Sequence, residues 1–281
     1  METRQFRYRP HIKWFQYGLV VVLALGWVLP DAVLAVVRAT AGEVFWPNAT
    51  SALVFGVTTL GLFWLFRSMA STRVIVNDEG IRYVDYKKDF CVPYSEIERL
   101  AFPAIPYLGG WLKIKSDHPD IRLTLVLEDL DELVRMLKEG LDAAEHQGAY
   151  HQRKLFRFYK TAGIATQSWD RIYRHFIALI VASLFFAVLG VAAIYFFGDF
   201  CADGPSLGLL FAILGLATAP AFSYTVAEVA AIIVFRRGCD EETFAIPAAD
   251  SSNDRRFFTI GVGIYAGLIA AGTTTLLVLG L

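Results

Sequence analysis

The chain has 281 residues, of which 56% are hydrophobic and 19% are charged, and its mean hydropathy is +0.47. This composition is too apolar for a soluble globular protein and too charged for a bundle of membrane spans alone, so it predicts an integral membrane protein with one inserted soluble domain. The formal net charge of −1 provides no global basic field for a nucleic-acid partner.

Five apolar stretches are long enough to cross a membrane, since a spanning helix needs about 20 apolar residues. Two precede a central polar segment and three follow it, at residues 14–37, 49–66, 176–197, 207–235 and 257–281. The basic N-terminus precedes an apolar run that is too long for a signal-peptide core, so we expect an uncleaved anchor. The pattern predicts a helical bundle of five spans, arranged 2+3.

Lysine and arginine residues mark one side of the predicted membrane. They lie before the first span, after the second, before the third and between the fourth and fifth. The opposite loops contain only Arg38 after the first span, and Asp199 and Asp203 after the third. Because basic loops face the cytosol, we expect a cytosolic N-terminus and polar segment and an outer C-terminus.

The polar segment, residues 71–143, alternates between extended runs and turns. A turn at 78–80 separates two β-rich runs, which is a hairpin signal, and further period-two runs follow at 111–115 and 121–127. From Leu127 to Leu141 the leucines recur at helical spacing, with acidic residues in the first turns. The segment therefore predicts several short strands closed by one amphipathic helix.

The order of these strands, the 77–81 turn (NDEGI), the 92–97 segment (VPYSEI) and the terminal helix resemble the bacterial pleckstrin-homology-like (PH-like) domain. The resemblance covers the polar segment and not the flanking spans. It implies a small antiparallel β-barrel capped by one helix, often attached to transmembrane helices, with a binding role rather than an activity. The expected fold class is α+β, a transmembrane bundle of five spans with an inserted cytosolic PH-like barrel, in a bacterial inner membrane.

The predicted organisation has four parts. An N-terminal basic flank with two spans occupies residues 1–70, and the PH-like domain occupies 71–143. A basic aromatic linker follows at 144–175, and three spans complete the chain at 176–281.

The linker is rich in basic and aromatic residues. Between residues 150 and 175, six lysines and arginines stand against Asp170 alone. This composition is typical of an interfacial helix on an anionic leaflet, where each basic residue contributes about 1 kcal/mol, and equally of a flank that obeys the positive-inside rule. The expected membrane-surface contacts are Arg153, Lys154, Arg157, Lys160, Trp169, Arg171 and Arg174.

Two carboxylates lie in or near the predicted spans. Asp31 follows Pro30, and we expect it to be a helix-starting residue in a short turn near the outer interface. Glu228 belongs to an apolar stretch longer than the ~30 Å hydrocarbon core, so it either reaches the cytosolic interface or makes a buried polar contact with another span or a partner.

Small residues recur every four positions in the fifth predicted span, at Gly263, Gly267 and Ala271. Such a stripe lets helix backbones approach closely. The contact is either with the same bundle or with another subunit.

No GxSxG, HExxH, Walker A or GxGxxG motif is present, and the cysteines and histidines lack metal-ligand spacing, so we expect no catalytic, cofactor or metal site. The predicted function is a non-enzymatic scaffold, assembly factor or accessory subunit of a membrane protein complex. Its expected partners are an integral membrane protein or a second copy of the chain, together with anionic lipids at the cytosolic leaflet. The alternatives are an anionic-lipid or envelope-stress sensor and, third, a small transporter component, which the lack of an internal repeat disfavours.

Overall fold

The computed structural model describes residues 3–42, 46–103, 110–197 and 207–278. The chain divides into two compact units, Met1–Ala162 and Gly163–Leu281. The boundary falls inside one long helix, α5 (Gln152–Phe197).

The first unit begins with a short strand, β1 (Arg4–Arg7), and continues into a helical hairpin. Helices α1 (His11–Leu23) and α2 (Leu29–Thr40) are joined by a π-helical turn at Ala24–Val28, and α3 (Trp46–Ser71) packs against both. The ring of Trp27 stacks on Phe55, with their centroids 5.6 Å apart.

Pro30 does not end the first helix. Proline lacks an amide hydrogen and so removes one hydrogen bond from a helix, and here the π-helical turn accommodates it. Within that turn the amide of Leu29 donates to the carbonyl of Ala24, five residues earlier. Asp31 lies in the first turn of α2, as a helix-starting residue should, but α2 follows the π-helical turn directly instead of a short outer turn. Its Oδ1 accepts a hydrogen bond from Asn48 Nδ2 at 3.1 Å.

In the described residues of the first unit, seven antiparallel strands form two small sheets. The first sheet has the order β1-β2-β3-β4 and the second the order β5-β6-β7. An isolated bridge between Tyr8 and Leu127 joins the chain after β1 to the chain after β7. The further strands are β2 (Arg73–Val76), β3 (Gly80–Val84), β4 (Asp89–Pro93), β5 (Ile97–Ala101), β6 (Trp111–Ser116) and β7 (Ile121–Thr124).

Helix α4 (Leu130–Ala143) supplies one wall of the core. Its leucine stripe is buried, as the helical spacing predicts, and fully burying each such side chain contributes about 1.5–3 kcal/mol. Gly140 allows α4 to approach the ring of Tyr94, which occupies the space that a Cβ at this position would need. The hydroxyl of Tyr94 donates to the carbonyl of Asn77 at 3.0 Å, and burial raises the pKa of this phenol to about 12.

Strand β1 was not expected from the sequence. The sequence pattern predicts a basic flank at the N-terminus and a soluble domain that begins at residue 71. In the structure Phe6 pairs with Val74 across the sheet and is only 2% exposed. The four-residue strand carries one apolar side chain, and that side chain completes the core. The two-sheet domain, which consists of β1–β7 and α4, is therefore discontinuous in sequence, and the helical hairpin is inserted between its strands β1 and β2.

The end of α3 is fixed to the two-sheet domain by a second contact. The hydroxyls of Ser68 and Ser71 donate to the two carboxylate oxygens of Asp85, at 3.2 and 2.7 Å. Asp85 follows strand β3, so the hairpin is attached both through the chain at β2 and through this carboxylate.

The second unit contains the rest of α5, together with α6 (Leu207–Arg237) and α7 (Ser251–Val278). Helices α6 and α7 pack closely: Gly261 lies against the backbone of Ser223, and the hydroxyl of Tyr265 donates to the carbonyl of Gly215 at 2.6 Å. In the loop between them, Asp240 and Ala245 exchange both backbone hydrogen bonds.

Four helical stretches among the described residues are long and apolar enough to cross a membrane: Val20–Thr40, Pro47–Ser71, Gln152–Leu189 and Ala217–Arg237. The protein is thus a mixed α+β chain with two small antiparallel sheets and several helices suited to a membrane. Helix α7, which contains most of the predicted fifth span, is not among these four, and the end of that predicted span lies outside the described residues.

Candidate functional site

A largely buried polar contact in the second unit joins α5 to α6. Arg171 donates two hydrogen bonds to the carboxylate of Glu228: its Nε donates to Oε2 at 2.9 Å and its Nη2 donates to Oε1 at 2.8 Å. The hydroxyl of Ser168 also donates to Oε1 of Glu228. The side chains of Arg171 and Glu228 are only 11% and 17% exposed, so this is a largely buried, bidentate ion pair.

Asp254 brings the third helix into the same cluster. It lies in the first turn of α7, where the helix dipole favours a carboxylate. Its two oxygens lie 3.7 Å from Nη1 of Arg171 and 3.6 Å from Nη1 of Arg174. We call Arg171, Arg174, Glu228 and Asp254 the polar cluster; its two cations balance its two anions.

The polar cluster is suited to holding three helices in one arrangement. Burying charges costs desolvation energy, which a bidentate pair with an additional hydroxyl donor offsets without a large net gain. The pair is, however, expensive to break, because one unpaired charge would stay buried. We therefore expect the cluster to act mainly by fixing which helix faces meet.

The structure brings together two polar residues, Glu228 and Arg171, to which the sequence assigns different environments. Glu228, which the sequence assigns either to the interface or to a buried contact, lies against Arg171 of a neighbouring helix. Arg171 was expected at the membrane surface, but it points into the bundle. Sequence pattern gives no sign of this pairing, since the two residues are 57 positions apart.

The first turns of α5 carry a basic face. Arg153, Lys154 and Arg157 are exposed and Lys160 is half-buried. Positions 153, 157 and 160 follow the i, i+4, i+7 spacing of one helix face. We call these four residues the basic face.

The aromatic residues beside the basic face do not face lipid. Phe156, Phe158 and Tyr159 are 3–6% exposed and Leu155 is fully buried within the first unit. The ring of Phe158 lies 5.5 Å from that of Phe102, which follows β5. The expected interfacial helix therefore has its apolar side buried in protein, and only its basic side remains at the surface. Further along α5, Trp169 is half-buried beside Tyr173, and Arg174 is 51% exposed.

The predicted small-residue stripe of α7 does not form the contact with α6. Apart from the nearby backbone of α7 itself, no heavy atom of the described residues lies within 4 Å of the position of a Cβ on Gly263 or Gly267, and Ala271 is exposed. The contact uses Gly261 and Tyr265 instead, which lie on another side of the helix. In the part of the chain that the structure describes, the stripe is thus an open face.

Two cations near the turn between β3 and β4 make contacts within the first sheet. Arg82 forms a bidentate ion pair with Asp89, at 2.8 and 2.7 Å, and this pair lowers the pKa of the Asp89 carboxyl. The ammonium of Lys87 lies 5.0 Å from the ring centre of Tyr86.

Strand β4 is one edge of the first sheet. Among the described strands, β4 is paired with β3 alone, whereas the Gln147–Ala149 turn packs beside β5. Cys91 is exposed on β4 and is a free thiol. An unpaired edge of this kind can accept a further strand.

No group of three or more histidine, cysteine, aspartate or glutamate side chains is placed to bind a metal ion within the described ranges. Comparisons with protein-family models, with curated proteins and with solved structures found no match to this chain. The function must therefore be inferred from the geometry of the two units.

Proposed function

We propose that the chain is a non-enzymatic scaffold, assembly factor or accessory subunit of a membrane protein complex, and that its barrel is the docking surface. The observation that carries this proposal is the insertion of the helical hairpin between two paired strands. Strand β1 precedes the hairpin, β2 follows it, and the two pair in register from Arg4 with Val76 to Arg7 with Arg73. Because this pairing joins the two ends of the hairpin, the barrel is held next to the membrane. A docking platform requires such a fixed position.

A PH-like fold for the barrel is part of the proposal. Its support is the arrangement of seven antiparallel strands in sheets of four and three, followed by one amphipathic helix. We also propose that α7 is a fifth span and that the barrel lies on the cytosolic side of a bacterial inner membrane. The distribution of lysine and arginine between the loops supports this orientation.

The edge of β4 is the proposed docking element. Adding a strand to an open sheet edge satisfies backbone hydrogen bonds on both partners, and the alternate side chains then provide specificity. Since the barrel is held beside the bilayer, the partner is an integral membrane protein or a second copy of this chain. A nucleic-acid partner is not expected.

The exposed thiol of Cys91 allows a direct test of this docking edge. In a Cys201→Ser/Cys239→Ser background, a photoactivatable maleimide on Cys91 should cross-link, in native membranes, to one dominant integral membrane protein or to a second copy. The matched control is the variant Cys91→Ser/Arg122→Cys, which carries its thiol on the other sheet. Position 122 was chosen because Arg122 is exposed on β7. That control should lose most of the adduct.

An anionic-lipid sensor is the second candidate, and the basic face is the observation that favours it. Four cations at the surface, each worth about 1 kcal/mol beside an anionic leaflet, could report on lipid charge.

We expect the full chain to melt at a higher temperature in anionic than in zwitterionic nanodiscs, and we expect high salt to remove this difference because it screens the surface charges. Replacing Arg153, Lys154, Arg157 and Lys160 with glutamine should abolish the difference. The matched control replaces four exposed barrel cations, Arg99, Lys115, Arg122 and Lys87, and should leave it intact. Equal melting temperatures of the unmodified chain in the two lipids would remove the sensor from consideration.

A further inference from the structure

The turn between β3 and β4 lies against the last turn of helix α3. Asp85 begins this turn, and its two carboxylate oxygens accept hydrogen bonds from the hydroxyls of Ser71 and Ser68, at 2.7 and 3.2 Å. Asp85 and Lys88 exchange both backbone hydrogen bonds, at 2.7 and 3.3 Å, so the two residues between them form the tip of a tight hairpin. The tip is thus held beside the end of α3.

The length of α3 places its last turn in the headgroup layer of a membrane. The helix has 26 residues and is therefore about 39 Å long, whereas the hydrocarbon core is about 30 Å thick. A centred helix extends beyond the core by about 4–5 Å at each end, which is about three residues. Arg67 is exposed and marks the same limit, since a charged side chain is disfavoured in hydrocarbon. Ser68 and Ser71, and with them the β3–β4 turn, therefore lie at the depth of the lipid headgroups.

The tip of the turn exposes an aromatic side chain. Among the described residues of the two-sheet domain, Tyr86 is the only large apolar or aromatic side chain that is exposed, at 43%. Tyrosine is enriched where a membrane meets water, because its ring is apolar and its hydroxyl is polar. Trp14, in the first turn of α1, is 78% exposed. Because α1 begins shortly after Arg7 and α3 ends shortly before its sheet partner Arg73, the two aromatic side chains lie at a similar depth.

The charges around the tip give it a positive balance. Three exposed cations belong to the turn and to the adjoining end of α3: Arg67, Lys87 and Lys88. Of the two carboxylates of the turn, Asp89 is paired with Arg82, and Asp85 accepts the two serine hydroxyls. Four cations and two carboxylates leave a formal charge of +2 beside Tyr86. Such a charge is suited to the phosphate of a lipid headgroup.

From the hydrogen bonds of Asp85, the length of α3 and the exposure of Tyr86 together, we propose that the β3–β4 turn is a membrane-surface anchor. Tyr86 inserts between the headgroups of the leaflet next to the two-sheet domain, and Lys88 and Arg67 contact lipid phosphates. This inference rests on the proposed position of the domain at the membrane and not on the docking of a partner at β4. Phosphates occur in zwitterionic and anionic phospholipids alike, so the anchor, unlike the basic face of α5, does not depend on the net charge of the lipid.

A nitroxide label at the tip tests the anchor in the full chain, reconstituted in phosphatidylcholine nanodiscs. The cysteine-free background is Cys91→Ser/Cys201→Ser/Cys239→Ser. A label on Lys87→Cys should be largely protected from collision with a water-soluble nickel complex. The matched control is Glu79→Cys, because Glu79 is exposed in the turn at the other end of β3, a strand of five residues and about 17 Å. That label should stay in water and lose this protection.

Two substitutions of Tyr86 test its part in the anchor. Tyr86→Ser should remove most of the protection at position 87, whereas Tyr86→Trp should keep it, because tryptophan also prefers the membrane interface. Since Tyr86 is exposed, neither variant should change the melting temperature. Unchanged protection in Tyr86→Ser would overturn the assignment of Tyr86 as the anchor.

A label on Val57→Cys separates the anchor from the membrane position of the helical hairpin. Val57 is exposed near the middle of α3, so its label should be protected by lipid. Protection at position 57 with equal nickel collision rates at 87 and 79 would overturn the anchor and leave the proposed function in place. Free nickel access at all three positions would contradict the membrane position of the hairpin, and with it both proposals.

Discussion

Replacing Glu228 with alanine is expected to destabilise the second unit by about 3–5 kcal/mol, the usual cost of removing one partner of a buried ion pair. Arg171 would remain mostly buried with Asp254, 3.7 Å away, as its remaining carboxylate. The substitution also removes the acceptor of the Ser168 hydroxyl. The measurement is the unfolding free energy of the full chain in detergent or nanodiscs.

Two further variants separate the ion pair from a general effect of mutation. Arg171→Met/Glu228→Leu removes both charges and should recover most of the lost stability, because well-packed apolar side chains often replace a buried pair at little cost. Glu242→Ala removes an exposed carboxylate from the loop between α6 and α7, and it should change stability by less than about 0.5 kcal/mol. If Glu228→Ala behaved like Glu242→Ala, the polar cluster would have no structural role.

Phe6→Ala is expected to destabilise the barrel by about 3–5 kcal/mol, the range for truncating a buried phenylalanine. Phe6 is 2% exposed and is the one apolar side chain of β1, so its loss should release this strand from β2. Limited proteolysis of the full chain should then cleave near the N-terminus and in the barrel. Thermal melting would give the size of the effect.

Gln5→Ala is the matched control for this strand, since Gln5 is exposed and pairs with Ile75 in the same ladder. It should leave both the melting temperature and the proteolytic pattern unchanged. For the same reason, a fragment of residues 71–143 lacks a strand and should not fold by itself. A stable, cooperatively melting 71–143 fragment would contradict the discontinuous barrel.

Elements with a strong local period were predictable from sequence. The hairpin at 73–85 agrees with β2 and β3, and the leucine stripe agrees with the buried face of α4. Period-two and helical spacing suffice here because each pattern is repeated several times within one element. The mixed α+β composition and the presence of membrane-suited helices followed from the same patterns.

Features that depend on distant partners were not predictable. Strand β1 has a single apolar residue, and its partner lies beyond the whole hairpin. The aromatic side of α5 could equally have faced lipid or protein, because both are apolar environments. In α7, the pair Gly261 and Tyr265 has the same four-residue spacing as the pair Gly263 and Gly267. Which pair contacts α6 depends on the shape of α6, and the sequence of α7 does not show it.

The central claim is that the barrel is a docking surface held at the membrane, and cross-linking from Cys91 in native membranes tests it most directly. The proposal predicts one dominant adduct, either with an integral membrane protein or with a second copy, that is lost when the thiol moves to Arg122. It also predicts that Phe6→Ala weakens the same adduct. Labelled chain that stays free of any protein adduct, and that is recovered as a lone monomer in several mild detergents, would contradict it.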